Sequence, residues 1–317
     1  MNSPQIPYGK QRIALRDRVA AWRELLDECG RKPTRKRVHA LRVVTLRIQA
    51  ELEYQVADLP HASHQVQATL RFGKLAEKLR GVLAPVRELD VWIGKLQRLR
   101  ASLIQGTGYV PRSTHECIRQ IGKLEDRLKK RRRSAAQKLV AQITKHRWDR
   151  VLAGDEIEEL ASDHVQGSDS HMSDTILNQF AAIAKVFAEF NEENLHDFRK
   201  RIKKVRYLAE IHQDSDNACA QIAVLVKKAQ TAIGEWHDWQ VLARSMQHTR
   251  RRRDVELEEL LESLASERFE QAIGVCHATR ARLLEMQARS VALSSGSKRR
   301  PPVSGSQLAV ASLEKSA

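Results

Sequence analysis

The sequence predicts an all-α protein, and three observations carry that prediction. Only 8 prolines and 14 glycines interrupt its 317 residues. The strong helix formers Ala, Leu, Arg, Lys, Gln and Glu dominate. Apolar residues recur at three- and four-residue spacing, and no run alternates as a half-buried strand does. In chain order the helical pattern breaks at Gly30 to Pro33, Asp58 to His64, Gly106 to Pro111, Gly154, Ser162 to Ser173 and Asp214 to Asn217, where small, polar or helix-stopping residues cluster. The segments between these breaks give eight or nine helices. From Ser294 onward the stretch SSGSKRRPPVSGS mixes Ser, Gly, Pro and charge without helical period, so residues 291–317 are expected to be a disordered tail.

A chain of this length with 42% hydrophobic residues can bury a substantial core. Its 55 Lys and Arg against 39 Asp and Glu leave a net charge of +16, which favours acidic partners such as nucleic acid, polyphosphate, an anionic membrane or an acidic protein. Cys29, Cys117, Cys219 and Cys276 are scattered, forming neither a CxxC motif nor a Cys/His cluster, so they are read as reduced, buried thiols with no metal or other cofactor implied. The first twelve residues lack an apolar signal core, and no stretch approaches the roughly 18 apolar residues of a membrane span. A cytoplasmic protein is expected.

The strongest feature is an internal repeat. Val38-His-Ala-Leu-Arg-Val-Val-Thr-Leu-Arg-Ile-Gln-Ala-Glu-Leu-Glu53 aligns without gaps on Leu195-His-Asp-Phe-Arg-Lys-Arg-Ile-Lys-Lys-Val-Arg-Tyr-Leu-Ala-Glu210. At about 100° per residue, His39 and Arg42 share a side with Leu46, Arg47 and Gln49. The second copy holds His196, Arg199, Lys203, Lys204 and Arg206 there. Leu41, Val44, Ile48 and Leu52, like Phe198, Ile202, Val205 and Ala209, fall on the opposite face, which can pack while the cations point outward or into a shared cavity. A merely solvated face would interleave Glu with its Lys and Arg, yet no acid occurs from Gly30 to Ala50. Repelling cations become favourable neighbours when a polyanion bridges them. A weaker match follows each copy: Leu83-Ala-Pro-Val-Arg-Glu-Leu-Asp-Val91 aligns on Ile233-Gly-Glu-Trp-His-Asp-Trp-Gln-Val241, with Lys78 opposite Lys228. Two half-domains, about 10–161 and 174–290 and joined by a linker at 162–173, are therefore expected.

These residues resemble the CHAD family, the conserved-histidine α-helical domain. Its two signature helices begin with His, then Arg three residues later, then a cluster of Arg and Lys, as do His39/Arg42/Arg47 and His196/Arg199/Lys203/Lys204/Arg206. A following Gly-x-x-x-Asp-like turn running into a helix is similar to residues 85–91 and 234–241. The resemblance extends over roughly residues 10 to 290. It implies two four-helix bundles about a pseudo-twofold axis, a central basic cavity that binds inorganic polyphosphate, and association with polyphosphate granules. The ExExK signature of a triphosphate-processing CYTH-type domain is absent, so the stand-alone form is expected. Leu46, Gln49 and Glu88 depart from the family pattern, and the His196 helix is accordingly expected to carry more of the binding than the His39 helix.

On this reading Arg42, Arg47, Arg199, Lys203, Lys204 and Arg206 neutralise phosphates and His39 and His196 donate hydrogen bonds. Lys74, Lys78, Arg87, Lys227 and Lys228 form a second tier. The main rival is backbone-directed nucleic-acid binding, which starts from the same counterion release. It is disfavoured because Tyr207 is expected to lie off the basic faces and the five tryptophans sit in apolar patterns, leaving no stacking platform. Catalysis is not expected, since neither GxxxxGK[ST] nor HExxH occurs and Asp90 and Asp238 are isolated acids. Two basic runs, Lys129 to Arg133 and Arg250 to Arg253, are read as solvated helix faces.

Overall fold

In the computed structural model, residues 15–56, 59–105, 112–145, 148, 172–247 and 255–297 are described. Among them the chain forms eight helices and no strand: α1 (Leu15–Arg31), α2 (Arg35–Gln55), α3 (His64–Gln105), α4 (Arg112–Lys145), α5 (Met172–Val186), α6 (Leu195–His212), α7 (Asn217–Gln247) and α8 (Val255–Ser297). The first four pack as one bundle and the last four as a second. Contacts between the bundles join elements of equal rank, α2 with α6, α3 with α7 and α4 with α8.

Local sequence explains each boundary. In α1 the buried Leu15, Val19, Trp22, Leu26 and Cys29 keep helical spacing and form one apolar stripe. The Trp22 indole donates to Thr45 Oγ1 at 2.9 Å, so this fully buried ring leaves no polar atom unpaired. Thr34 caps α2, its hydroxyl accepting the Arg37 N–H at 3.3 Å. An additional break at residues 187–194 separates α5 from α6. There Asn191 Oδ1 accepts from the backbone N–H groups of Glu193 and Asn194, while Asn194 Nδ2 donates to the Glu189 carbonyl. The run Asn191-Glu-Glu-Asn194 thus offers the backbone turn bonds that compete with a helix.

Two expectations are corrected. Residues 85–91 and 234–241 form no turn: each lies inside a continuous helix, α3 or α7. Pro85 and Gly81, whose carbonyl loses its helical donor to the proline, are both exposed, and Leu79, Leu83, Val86 and Leu89 carry the buried stripe past them. That burial outweighs a helix cost for proline of about 3 kcal/mol. Helix α8 also continues to Ser297, beyond the point where the tail was expected to begin. Residues 298–317, Arg250 to Arg253, the breaks at 106–111 and 154, and most of the linker lie outside the described residues; Met172, within that linker, begins α5.

Three cores hold the molecule. One lies inside each bundle, around Trp22, Phe72 and Leu83 in the first and Phe180, Phe198 and Trp236 in the second. The third joins the bundles. It gathers Leu89, Trp92, Leu96, Ile121, Leu124 and Leu128 from α3 and α4 with Trp239, Leu242, Met246, Leu257 and Leu261 from α7 and α8. All five tryptophans are buried, and all four cysteines are free and buried, with the Cys29 and Cys276 thiols pushed up to about 12 mainly by burial. Among the described residues no helix is long and apolar enough to cross a membrane.

Candidate functional site

Helices α2 and α6 lie against each other and are keyed by crossed ion pairs. Arg47 Nη2 stands 3.0 Å from Glu210 Oε2, and Lys204 Nζ stands 3.2 Å from Glu53 Oε2. Within each helix a second donor reaches the same acid: Gln49 Nε2 to Glu53 Oε1 at 2.9 Å, Arg206 Nε to Glu210 Oε1 at 2.7 Å. Every residue in these pairs corresponds to its counterpart under the repeat's offset of 157 (204 − 47, 210 − 53). At this end of the helices, charge is locally balanced.

Toward their N-termini it is not. Arg42 Nη1 donates to the Arg80 carbonyl at 3.0 Å, and Arg199 Nε donates to the Gln230 carbonyl at 3.2 Å, again corresponding residues of the two copies. A guanidinium has five N–H groups, so these anchors leave donors for a ligand. Gly234 allows the close approach of Arg199: a Cβ there would meet Nη2 at 2.9 Å. Lys203 sits among cations from both bundles. Its ammonium is pushed down to about 8 by burial and then by Arg199, Arg42, Arg80 and Arg206. Burial likewise lowers Arg42, Arg87 and Arg199, with Arg87 and Arg80 adding to the effect on Arg42, while Asp238 opposes it on Arg87 and Arg199. The result is a partly buried seam of cations, Arg42, Arg80, Arg87, Arg199, Lys203 and Arg206, of which only Arg206 holds a carboxylate within ion-pair distance among the described residues.

A histidine stands at the start of each signature helix. His39 is lowered by partial burial and then by Arg87, Arg42, Arg35 and Arg206. The His196 ring lies 4.4 Å from that of His237, and its buried Nδ1 has no hydrogen-bond partner among the described residues. His196 is lowered by burial, Lys200 and Arg199, and His237 to about 4 by burial, His196 and Arg199. His237 corresponds to Arg87 under the 150-residue offset of the weaker match, so each half places a basic side chain beside its signature histidine.

A depressed histidine contributes stability above its unfolded pKa that is lost as pH falls through the folded one. Between about pH 6.5 and 4, His237 should cost the free protein roughly 2 kcal/mol after allowance for solvent screening. Thermal denaturation of His237→Gln across that range should show a flatter acid limb than the parent; superimposable profiles would refute the assignment.

The structure brings together His39, Arg42, Arg87, His196, Arg199, Lys203 and Arg206, with Arg47 and Lys204 at the acid-balanced end. It does not bring in the whole second tier. Lys78 Nζ lies 5.8 Å over the buried Trp148 ring, and Lys74 is one turn before it on the same stripe. That stripe is about 200° round α3 from Arg80. Lys228 has the same relation to Gln230, whereas the exposed Lys227 precedes Gln230 by one turn on the same side of α7. Sequence reasoning missed Arg80, His237, Glu53 and Glu210. Arg80 and Arg87 are seven residues apart, hence on one helix face, and the repeat alignment pairs Arg87 with His237; those were the available signals. Tyr207 corrects another expectation: it is buried, with the Arg206 guanidinium 5.1 Å over its ring, not off to the side.

Two four-helix bundles meeting at a seam of cations define an all-helical protein built on a duplicated unit. The chain belongs to the CHAD family: the family profile, described as CHAD domain, matches residues 13–247. That match ends with α7, while α8 completes the second bundle. The family is associated with polyphosphate binding or metabolism in general. No curated protein matches the chain.

Proposed function

We propose that this protein is a non-catalytic binder of inorganic polyphosphate, held in the groove between α2 and α6, and that it associates with polyphosphate granules in the cytoplasm. The observation that carries this reading is Lys203, placed among Arg42, Arg80, Arg199 and Arg206 from both halves with its charged form disfavoured. Cations arranged at a cost to one another are relieved by a ligand with many regularly spaced negative charges. The correspondence of the paired residues supports a pseudo-twofold axis between α2 and α6, so a polymer of identical units would meet similar contacts in each half. A binding role without chemistry is supported by the nearby acids being engaged with cations, Asp90 with Arg132 at 2.9 Å and Asp238 with Lys95 at 3.9 Å.

Nucleic acid fits less well because Tyr207, beside the cations, is buried beneath Arg206, and the tryptophans are in the cores. Competition binding at several salt concentrations tests this. Long-chain polyphosphate should displace RNA, duplex DNA and heparin at equal charge, and equal displacement by RNA would defeat the proposal.

A further inference from the structure

The run Lys129 to Arg133 is not one solvated face. Arg132 turns inward, forking onto Asp90 at 2.9 and 3.2 Å while donating to the Pro33 carbonyl at 2.6 Å, and the partly exposed Lys129 pairs along its own helix with Glu125 at 3.3 Å and Asp126 at 3.5 Å. The Arg132 bonds fix the middle of α4 against α3 and against the residue just before the Thr34 cap of α2. Arg35 and His39 are in the first turns of α2, and Arg87 precedes Glu88, whose carboxyl senses Arg131. The middle of α4 is thus beside the His39 end of the groove.

From that point the outer face of α4 continues the charge. Arg127, Lys130, Arg131, Arg133, Lys138 and Lys145 are exposed, no acid occurs from 127 to 145, and none of the six has a carboxylate within ion-pair distance among the described residues. The stretch is about 27 Å long. The equivalent helix provides an internal comparison. Helix α4 carries eleven Lys and Arg against three acids, whereas α8, in the same place of the second bundle, carries four against seven. A helix needing only solubility can interleave its charges as α8 does. The difference between the two outer faces is therefore not a requirement of the fold.

We infer that the α4 face is an exit ramp for phosphate polymer, engaging the part of a long polyphosphate chain that emerges from the groove past His39. This rests on the groove reading above. Continuity with the groove favours the same polymer over a separate nucleic acid, and α4 contains no Phe, Tyr or Trp on which bases could stack. The ramp is reached only by chains long enough to leave the groove, so selectivity for long chains follows.

The test compares tripolyphosphate, long-chain polyphosphate and RNA on the full chain. Its variants are the exposed quadruple Arg127→Gln, Lys130→Gln, Arg131→Gln, Lys138→Gln and the groove variant Arg199→Ala, Lys203→Ala. The quadruple variant should bind tripolyphosphate as the parent does. It should bind the long chain about tenfold more weakly at low salt, with the salt slope reduced by about 0.7 for each phosphate no longer neutralised. The groove variant should lose both ligands. An unchanged long-chain affinity in the quadruple variant, or an equal loss for both chain lengths, would overturn the ramp while leaving the groove standing. Loss of RNA binding alone would make α4 a nucleic-acid surface and overturn it too. If the groove variant bound both polyphosphates like the parent, the groove reading itself would fall.

Discussion

Replacing Arg42, Arg199 and Lys203 together with Ala should lower polyphosphate affinity by roughly a hundred- to a thousandfold, the effect expected from several charge-assisted bonds that share one ligand. The slope of log affinity on log salt should flatten by about 2, at about 0.7 per phosphate on a single-strand analogy. Thermal stability should hold or rise, because Lys203 is charged at the expense of its neighbours and its removal relieves them. Arg42 and Arg199 bond only to helix carbonyls, so no buried acid is left unpaired. The companion variant Arg47→Ala, Lys204→Ala removes cations already balanced by Glu210 and Glu53 and should reduce affinity far less. Equal losses in the two variants would show that bulk charge, not the unbalanced cluster, governs binding. This contrast also revises the expected asymmetry: much of the basic excess on the His196 helix is neutralised by Glu53 and Glu210, and Lys203 is what distinguishes it from Leu46 in the first copy.

The second large effect concerns stability. Asp90→Ala should destabilise the fold by about 3 kcal/mol, because it strips the carboxylate from Arg132, a mostly buried guanidinium that also holds the Pro33 carbonyl. The seam of α2, α3 and α4 should loosen, and the His39 end of the groove with it. Combining Asp90→Ala with Arg132→Met should recover much of the loss, since a pair removed whole leaves no stranded charge. Chemical denaturation of the single and double variants checks this, and additive losses in the double would contradict the account.

The helical class, the repeat and the two histidine-bearing helices were legible in the sequence because helix periodicity is local and duplicated segments align residue by residue. Which cations would be neutralised and which left free was not. Arg47 and Lys204 read as ligand contacts until α2 meets α6 and each finds the other copy's acid 163 or 151 residues away (210 − 47, 204 − 53). Lys78 read as second tier until Trp148 folded beneath it. The Pro85 segment read as a turn because it resembles the family's turn element, and the buried stripe of α3 carries the helix through it. By itself the sequence determined the helical class and which side of each signature helix is charged, since both follow from neighbours within a few residues. Only the tertiary structure decided which charges oppose an acid and which oppose one another. Electrostatic partnership depends on separation in space, and here that separation is set by the docking of two bundles.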